Sequence, residues 1–173
     1  MKIDVADLKK TPGAQIELSL EGTLPSFEEE ADQEVTLLSP VMAELRLKNV
    51  DGVILVEGKI RVQVCLCCSR CLEEFSQNLE VAINEAYSDA GGLQGNGKEQ
   101  EGGITFFSGN TIDLTAAVRE NLLAELPMKA TCREDCRGLC PHCGHNLNLG
   151  ECGCRCREVD PRLASLGKLL ERE

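Results

Sequence analysis

The sequence predicts an α+β protein: an antiparallel β-meander packed by one main helix, followed by a cysteine-rich C-terminal module and a short terminal helix. Three observations support this class. Two segments of alternating apolar residues flank Asp51-Gly52, an apolar stripe of helical spacing runs over 114–126, and six cysteines crowd into Cys132–Cys154. A period of two is typical of half-buried strands, whereas spacings of three and four are typical of a helix packed on one face.

The meander is predicted over residues 41–87. Apolar side chains alternate with polar ones along Val41–Val50 and again along Val53–Leu66, and Asp51-Gly52 between them is a tight-turn signal. A third alternating segment, Phe75–Tyr87, follows the Cys68–Cys71 turn. Strand, turn, strand, cysteine turn and strand make a meander that places the first cysteine turn at one end of the sheet.

The segments around the meander predict shorter elements. A strand is expected around Ala14–Leu20, and the acidic stretch Glu21–Glu34 reads as a solvated loop. Ser88–Gly103 contains six glycines in sixteen residues and predicts a mobile loop over about 88–103. Ile104–Phe107 is then a short edge strand.

The main helix is predicted over Leu114–Leu126, with Asp113 as its N-cap and Pro127 as its stop. A second, short helix is predicted to open in the segment that begins at Asp160. The apolar stripe of the main helix, which we expect to pack against the sheet, consists of Leu114, Ala117, Val118, Leu122 and Leu126.

The eleven cysteines predict metal or redox chemistry. The N-terminus has no apolar run like a signal peptide, and no later segment approaches the length of a membrane span. We therefore expect a cytoplasmic protein without membrane contact. In that reducing compartment a disulfide framework is disfavoured.

Eight cysteines have the spacing of zinc ligands. Tetrahedral zinc takes four thiolate or imidazole ligands, usually as two close pairs, because a C-x2-C turn aims both sulfurs at one point. We therefore predict two zinc ions, and we divide the chain into a sheet-plus-helix domain over 1–127 and a zinc-binding module over 128–173. The ligands form four pairs in chain order: the first pair is Cys68 and Cys71, the second Cys132 and Cys136, the third Cys140 and Cys143, and the fourth Cys152 and Cys154.

Two groupings of these pairs are open. One joins the first pair to the second, which docks the C-terminal module on the sheet, and leaves the third and fourth pairs to close a local site. The other joins the first pair to the third, as in a zinc ribbon. We favour the first grouping because its second site closes only a small loop. Cys156 could replace Cys154, and Cys65 and Cys67 are expected to be spare side chains.

Structural zinc is weighed against two chemical roles. A thiol–disulfide active site at the first pair would need a lowered cysteine pKa, usually from a helix N-terminus, whereas this pair lies between two strands. A catalytic zinc would keep an open position beside a general base, and no H-E-x-x-H pattern occurs. Structural zinc is the preferred role. His142 and His145 are expected to be exposed, and Asn146-Leu147-Asn148 to shape a turn with its side-chain amides.

The charge distribution restricts where a polyanion could bind. The formal net charge is −11, yet residues 1–128 hold 10 basic and 22 acidic side chains while residues 129–173 hold 8 and 7. Overall charge therefore excludes general nucleic-acid binding, and any phosphate contact should use the C-terminal part. The candidate contact residues are Arg133, Arg137, Arg155, Arg157, Arg162 and Lys168.

Taken together, these motifs make the chain resemble the YceD family, the large ribosomal RNA subunit accumulation proteins of bacteria and plastids. The resemblance covers the chain from about residue 40 to the C-terminus. The motifs that carry it are Cys68-Ser69-Arg70-Cys71-Leu72-Glu73-Glu74-Phe75, Ile112-Asp113-Leu114, Val118-Arg119-Glu120-Asn121, Leu126-Pro127, Cys136-Arg137-Gly138-Leu139-Cys140-Pro141-His142-Cys143-Gly144, Asn146-Leu147-Asn148 and Asp160-Pro161-Arg162-Leu163-Ala164.

The resemblance implies a non-enzymatic factor in large-subunit ribosomal RNA synthesis, processing or stability, that is, in ribosome biogenesis. Its partner would be a ribosomal RNA precursor or a ribosome-assembly protein, with no small-molecule substrate. Relatives with a shortened cysteine array keep pairs corresponding to the first and second pairs, which also favours the first grouping. Two alternatives stay open: a zinc-stabilised protein-interaction module without RNA contact, and a thiol–disulfide oxidoreductase that uses Cys68 and Cys71.

Overall fold

The computed structural model describes residues 1–24, 27, 35–90 and 103–154, which are mostly β-sheet with a few short helices. Most of the predicted acidic loop, most of the glycine-rich segment and the predicted terminal helix lie outside these ranges. The elements in chain order are β1 (Lys2–Asp4), α1 (Ala6–Lys10), β2 (Gln15–Gly22), β3 (Val35–Leu37), β4 (Val41–Val50), β5 (Val53–Cys67), β6 (Glu74–Asp89), β7 (Ile104–Phe107), β8 (Thr111–Asp113) and α2 (Thr115–Glu125).

The main sheet has the strand order β2-β4-β5-β6-β7, with β3 paired to β5 beside β4. The predicted hairpin is confirmed: β4 pairs antiparallel with β5, and Asp51 and Gly52 connect them with φ values of 51° and 90°. Positive φ at both central residues is what a type I′ turn requires, and this turn matches the twist of the two strands.

The sheet presents the first cysteine pair at one of its ends. β5 and β6 pair antiparallel from Val53 and Ser88 to Cys67 and Glu74, so the residues between those last partners form the turn that contains the pair. β3 reaches the same end, because Val35 pairs with Leu66. The predicted edge strand is also confirmed, although it runs parallel to its neighbour β6.

The core lies on one face of the sheet, and α2 packs against it. Alternate residues of β4 are buried, as the period of two predicts. Val118 and Leu122 of the helix and Leu114 just before it are buried, and the amide of Asn121 donates a hydrogen bond of 2.9 Å to the Glu85 carboxylate on β6. The predicted apolar stripe is confirmed, since its other two members are partly buried against the same core.

The predicted N-cap was wrong by one residue. The helix starts at Thr115 with Leu114 in the N-cap position and without a side-chain capping bond. Asp113 is the last residue of β8 and pairs with Lys2, which holds its backbone extended. Its carboxylate accepts a 2.9 Å bond from the Thr115 N–H, two residues ahead, and so acts as an Asx turn just before the helix.

Three short elements were not predicted from the sequence: α1, β3 and β8, the strand that pairs with β1. Each spans only three to five residues, so none completes enough periods for a pattern to appear. Among the described residues no helix combines the length and the apolar character that a membrane crossing needs.

Candidate metal centres

The eight predicted cysteines form two clusters. The inner cluster contains Cys68, Cys71, Cys132 and Cys136, and the outer cluster contains Cys140, Cys143, Cys152 and Cys154. Within each cluster one Sγ atom per residue lies within 4.8 Å of the others. None of the ten cysteines in the described residues forms a disulfide. Two closed groups of four thiols are able to hold a metal ion each.

A turn at the end of the sheet positions the first pair. The Cys68 N–H donates to the Glu73 carbonyl, and the Leu72 N–H donates back to the Cys68 carbonyl, both at 2.9 Å. Leu72 has a φ of 60°, in the left-handed region that closes the turn. The chain thus folds back within five residues, and both cysteine side chains of the turn are buried.

The second pair reaches the first because the segment leaving α2 docks on the same turn. The Ser69 N–H donates to the Ala130 carbonyl at 2.8 Å. The Arg70 guanidinium donates to the carbonyls of Glu134 and Cys136 at 3.1 and 3.0 Å. Arg70 therefore holds the backbone of the segment that carries the second cysteine pair, a role that its position in the sequence does not indicate.

The sulfurs of the inner cluster are close and receive N–H donors. The Sγ atoms of Cys68 and Cys136 are 3.8 Å apart, and those of Cys71 and Cys132 are 3.7 Å apart. The Cys132 N–H donates to the Cys68 sulfur at 3.4 Å, and the Asn148 amide donates to the Cys136 sulfur at 3.3 Å. Such donors stabilise thiolates, which are the form that binds metal.

The pKa values of the thiols in this cluster are shifted in opposite directions. Burial opposes ionisation of Cys68, but backbone N–H donors outweigh it and lower its pKa to about 6. The Asn148 amide lowers the pKa of Cys136. Burial and the neighbouring thiols raise the pKa of Cys132 to about 12. Four thiolates cannot coexist at this distance without a cation, and a divalent ion would remove that repulsion.

The outer cluster repeats the turn of the inner one in a more exposed place. The Gly144 N–H donates to the Cys140 carbonyl at 2.9 Å, and Gly144 has a φ of 71°. Cys140 is buried, Cys143 is exposed and the fourth pair is partly exposed. Backbone N–H donors of Cys143 and His142 lower the pKa of Cys140 to about 6. Hydrogen bonding with the Cys143 thiol, together with burial, raises the pKa of Cys154 to about 12.

The sulfurs group as in the first of the two predicted groupings. Cys65 and Cys67 belong to neither cluster. The Cys65 thiol lies 4.0 Å from the Glu74 carboxylate on the adjacent strand. His142 and His145 are exposed, as predicted, and Cys156 lies outside the described residues.

Two of the six candidate contact residues lie within the described residues, and both are exposed. Arg133 and Arg137 are exposed, and Arg133 lies 3.5 Å from the Asp135 carboxylate. Arg61 on the sheet, by contrast, is held by Glu44 and Glu80 at 3.0 and 2.8 Å. The other four predicted contact residues, Arg155, Arg157, Arg162 and Lys168, lie outside the described residues.

The predicted amide turn is confirmed and does more than expected. The Asn146 side chain accepts from the Asn148 N–H at 3.0 Å. The Asn148 side chain in turn accepts from the Arg137 N–H at 2.8 Å while it donates to the Cys136 sulfur. Nothing in the local sequence indicates that an amide twelve residues after Cys136 lies against its sulfur, because that contact depends on the fold of the segment between them.

Comparison with known proteins gives consistent matches. The sequence profile described as large ribosomal RNA subunit accumulation protein YceD matches residues 56–170. An uncharacterized protein of Mycobacterium tuberculosis is 33% identical over 178 residues, covering 100% of this chain and 83% of its own length. YlbN of Bacillus subtilis is 26% identical over 147 residues, which is 82% of this chain and 81% of that protein.

A plant protein is also similar. The Arabidopsis thaliana protein named large ribosomal RNA subunit accumulation protein YCED homolog 1, chloroplastic, is 26% identical over 159 residues, which cover 78% of this chain and 50% of the plant protein. No solved structure matches the sequence. The matched region contains β6, α2 and both cysteine clusters.

Proposed function

The chain belongs to the YceD family of large ribosomal RNA subunit accumulation proteins, and from this membership we propose that it acts in ribosome biogenesis as a non-enzymatic factor. It promotes the synthesis, processing or stability of large-subunit ribosomal RNA. The observation that carries the proposal is the extent of the family match, which includes the helix and every cysteine of the two clusters.

Two zinc ions hold the C-terminal module in place in this proposal. Each cluster offers four thiols, the donor set of structural zinc sites, and its four sulfurs leave no open position for a reacting water. The inner cluster joins the end of the sheet to the segment after α2, so its metal docks the module over 128–173 on the domain over 1–127. Thiol ligands of a structural metal also fit a reducing, cytosolic location.

The partner binds near the clusters. Arg133 and Arg137 are exposed there, in the part of the chain that is not strongly acidic. Guanidinium groups suit phosphate contacts, which supports a ribosomal RNA precursor as the partner. A ribosome-assembly protein that itself binds RNA is the second candidate, because the acidic remainder of the chain would repel RNA.

Depletion of the protein tests the ribosomal role. The ratio of large-subunit to small-subunit ribosomal RNA should fall, and the wild-type chain should restore it. The double variant Arg133→Glu/Arg137→Glu should restore it less well than Lys2→Glu, an exposed control far along the chain. An unchanged ratio after depletion contradicts the proposal. Crosslinking in cells should recover precursor RNA or assembly proteins, and recovery of neither would favour an interaction module without RNA contact.

Elemental analysis tests the metal. The protein purified under reducing conditions should contain about two zinc ions per chain, because each cluster supplies a complete set of four ligands. Its metal content should fall to about one in Cys143→Ser. A metal-free protein that reduces a model disulfide, and loses this activity in Cys68→Ser, would instead support the oxidoreductase alternative.

A further inference from the structure

One side chain connects the two cysteine clusters. Asn148 lies in the chain between the third and fourth pairs, both of which belong to the outer cluster. Its amide nitrogen donates to the sulfur of Cys136, which belongs to the inner cluster, at 3.3 Å. Its amide oxygen accepts from the Arg137 N–H at 2.8 Å. The side chain thus uses both of its ends to hold the segment that carries an inner ligand.

The backbone around Asn148 explains how it reaches Cys136. Residues 136–148 fold back on themselves, because the Cys140 N–H donates to the His145 carbonyl and the Leu147 N–H donates to the Gly138 carbonyl, at 2.8 and 2.9 Å. The turn at the tip carries the third pair. The open end of this folded segment, with Cys136 and Asn148, therefore lies at the inner cluster, and its tip lies in the outer cluster.

From this geometry we propose that Asn148 couples the two metal sites, so that a metal ion in the outer cluster raises the affinity of the inner cluster. The inference rests on the proposed metal binding. A metal bound to the third and fourth pairs closes the loop 143–152 and restricts the conformations of residues 144–151. Ordering this loop in advance reduces the entropy lost when the Asn148 amide meets Cys136.

The coupling acts on binding in both directions. A group that hydrogen bonds to a metal ligand orients that ligand and favours its charged form, and loss of such a partner typically weakens metal binding about 10- to 100-fold. Since linkage is reciprocal, a metal in the inner cluster raises the affinity of the outer cluster by the same factor. The outer cluster thus supports the inner one without sharing a ligand with it.

Cadmium NMR of the full chain measures the coupling, because cadmium bound at each cluster gives its own resonance and a competing chelator then reports each affinity. The variants Cys71→Ser and Cys143→Ser assign the two resonances. With the outer cluster intact, Asn148→Ala should weaken the inner site about 10- to 100-fold. The double variant Cys143→Ser/Cys152→Ser, which disables the outer cluster, should weaken the inner site as well, and Asn148→Ala added to that background should have only a small further effect.

Two further variants make the outcome specific. Asn148→Asp keeps the acceptor for Arg137 but places a carboxylate oxygen against the Cys136 sulfur, so it should weaken the inner site at least as much as Asn148→Ala. Leu149→Ala changes an exposed neighbour in the same loop and should leave both affinities unchanged. Far-UV circular dichroism checks that the sheet is intact in each variant.

Two results would overturn the coupling. One is an inner-site affinity that Asn148→Ala and Asn148→Asp leave unchanged. The other is the same loss from Asn148→Ala whether or not the outer cluster is disabled, since independent sites give additive effects. If the wild-type chain shows no cadmium resonance at all, it is the proposed metal binding that fails.

Discussion

The two cysteine clusters share a donor set and a turn geometry, but they differ in what they connect. Three of the four inner cysteines are buried, and the cluster joins residues that are 61 and 68 positions apart. The outer cluster has one buried cysteine, and all its members lie within 140–154. A link that closes a long loop removes more freedom from the unfolded chain than one that closes a short loop. The inner cluster should therefore govern global stability, and the outer cluster local order.

The largest difference in stability is expected between a variant that lacks one inner ligand and a variant that lacks one outer ligand. Cys68→Ser breaks the inner site and leaves a hydroxyl at a fully buried position, so the free energy of unfolding should fall by about 4 kcal/mol or more. The measurement is urea denaturation at a fixed free zinc concentration, because bound metal shifts stability by mass action. Cys143→Ser is the matched control: it removes an exposed ligand of the outer site, so the sheet should lose only what the coupled 10- to 100-fold weakening of the inner site costs, about 1.4 to 2.8 kcal/mol. Equal losses in the two variants would show that the clusters do not differ in this way.

A smaller effect is expected from two glycines with the same backbone conformation. Gly138 and Gly144 have φ values of 73° and 71°, so Ala at either position costs about 1 to 2 kcal/mol for the left-handed conformation. An added Cβ at Gly138 would also lie 2.9 Å from the Arg70 carbonyl, whereas nothing lies within 4 Å at Gly144. Gly138→Ala should therefore destabilise more than Gly144→Ala in the same denaturation experiment. If the free energy of unfolding falls equally in both variants, the close approach of Gly138 to the Arg70 carbonyl does not contribute to the loss of stability.

The smallest effect is expected where the inner turn departs from the outer one. Leu72 occupies the position that corresponds to Gly144, with a φ of 60° and a side chain that is 64% exposed. Leu72→Gly relieves the left-handed strain of about 1 to 2 kcal/mol but adds roughly 0.4–1 kcal/mol of unfolded-chain entropy. A net stabilisation of about 0.8 kcal/mol, and at most about 1.6 kcal/mol, should follow, measured as a small rise in the denaturation midpoint. A clear loss of stability would mean that the Leu72 side chain makes a contact of its own.

Local periodicity determined most of the regular structure of this protein. The bounds of β4 agree with the prediction, and those of β5 and α2 agree to within one residue. Each of these elements buries one face over ten or more residues, which is long enough for the spacing of apolar side chains to define it. The first and third cysteine pairs were recognised for a similar reason, because a C-x2-C turn brings two sulfurs together through local geometry alone.

Tertiary structure decided what the local patterns left open. The grouping of the four cysteine pairs depends on how the segment after α2 docks on the Cys68–Cys71 turn, through Ser69 and Arg70, and spacing along the chain allowed two groupings. The same holds for Asp113, whose role changed because β8 pairs with β1, and for Asn148, whose contact with Cys136 requires the chain to fold back between them. Sequence periodicity reports interactions between near neighbours. Contacts between distant segments depend on the packing of the whole chain, and in this protein they distinguish the inner cluster from the outer one.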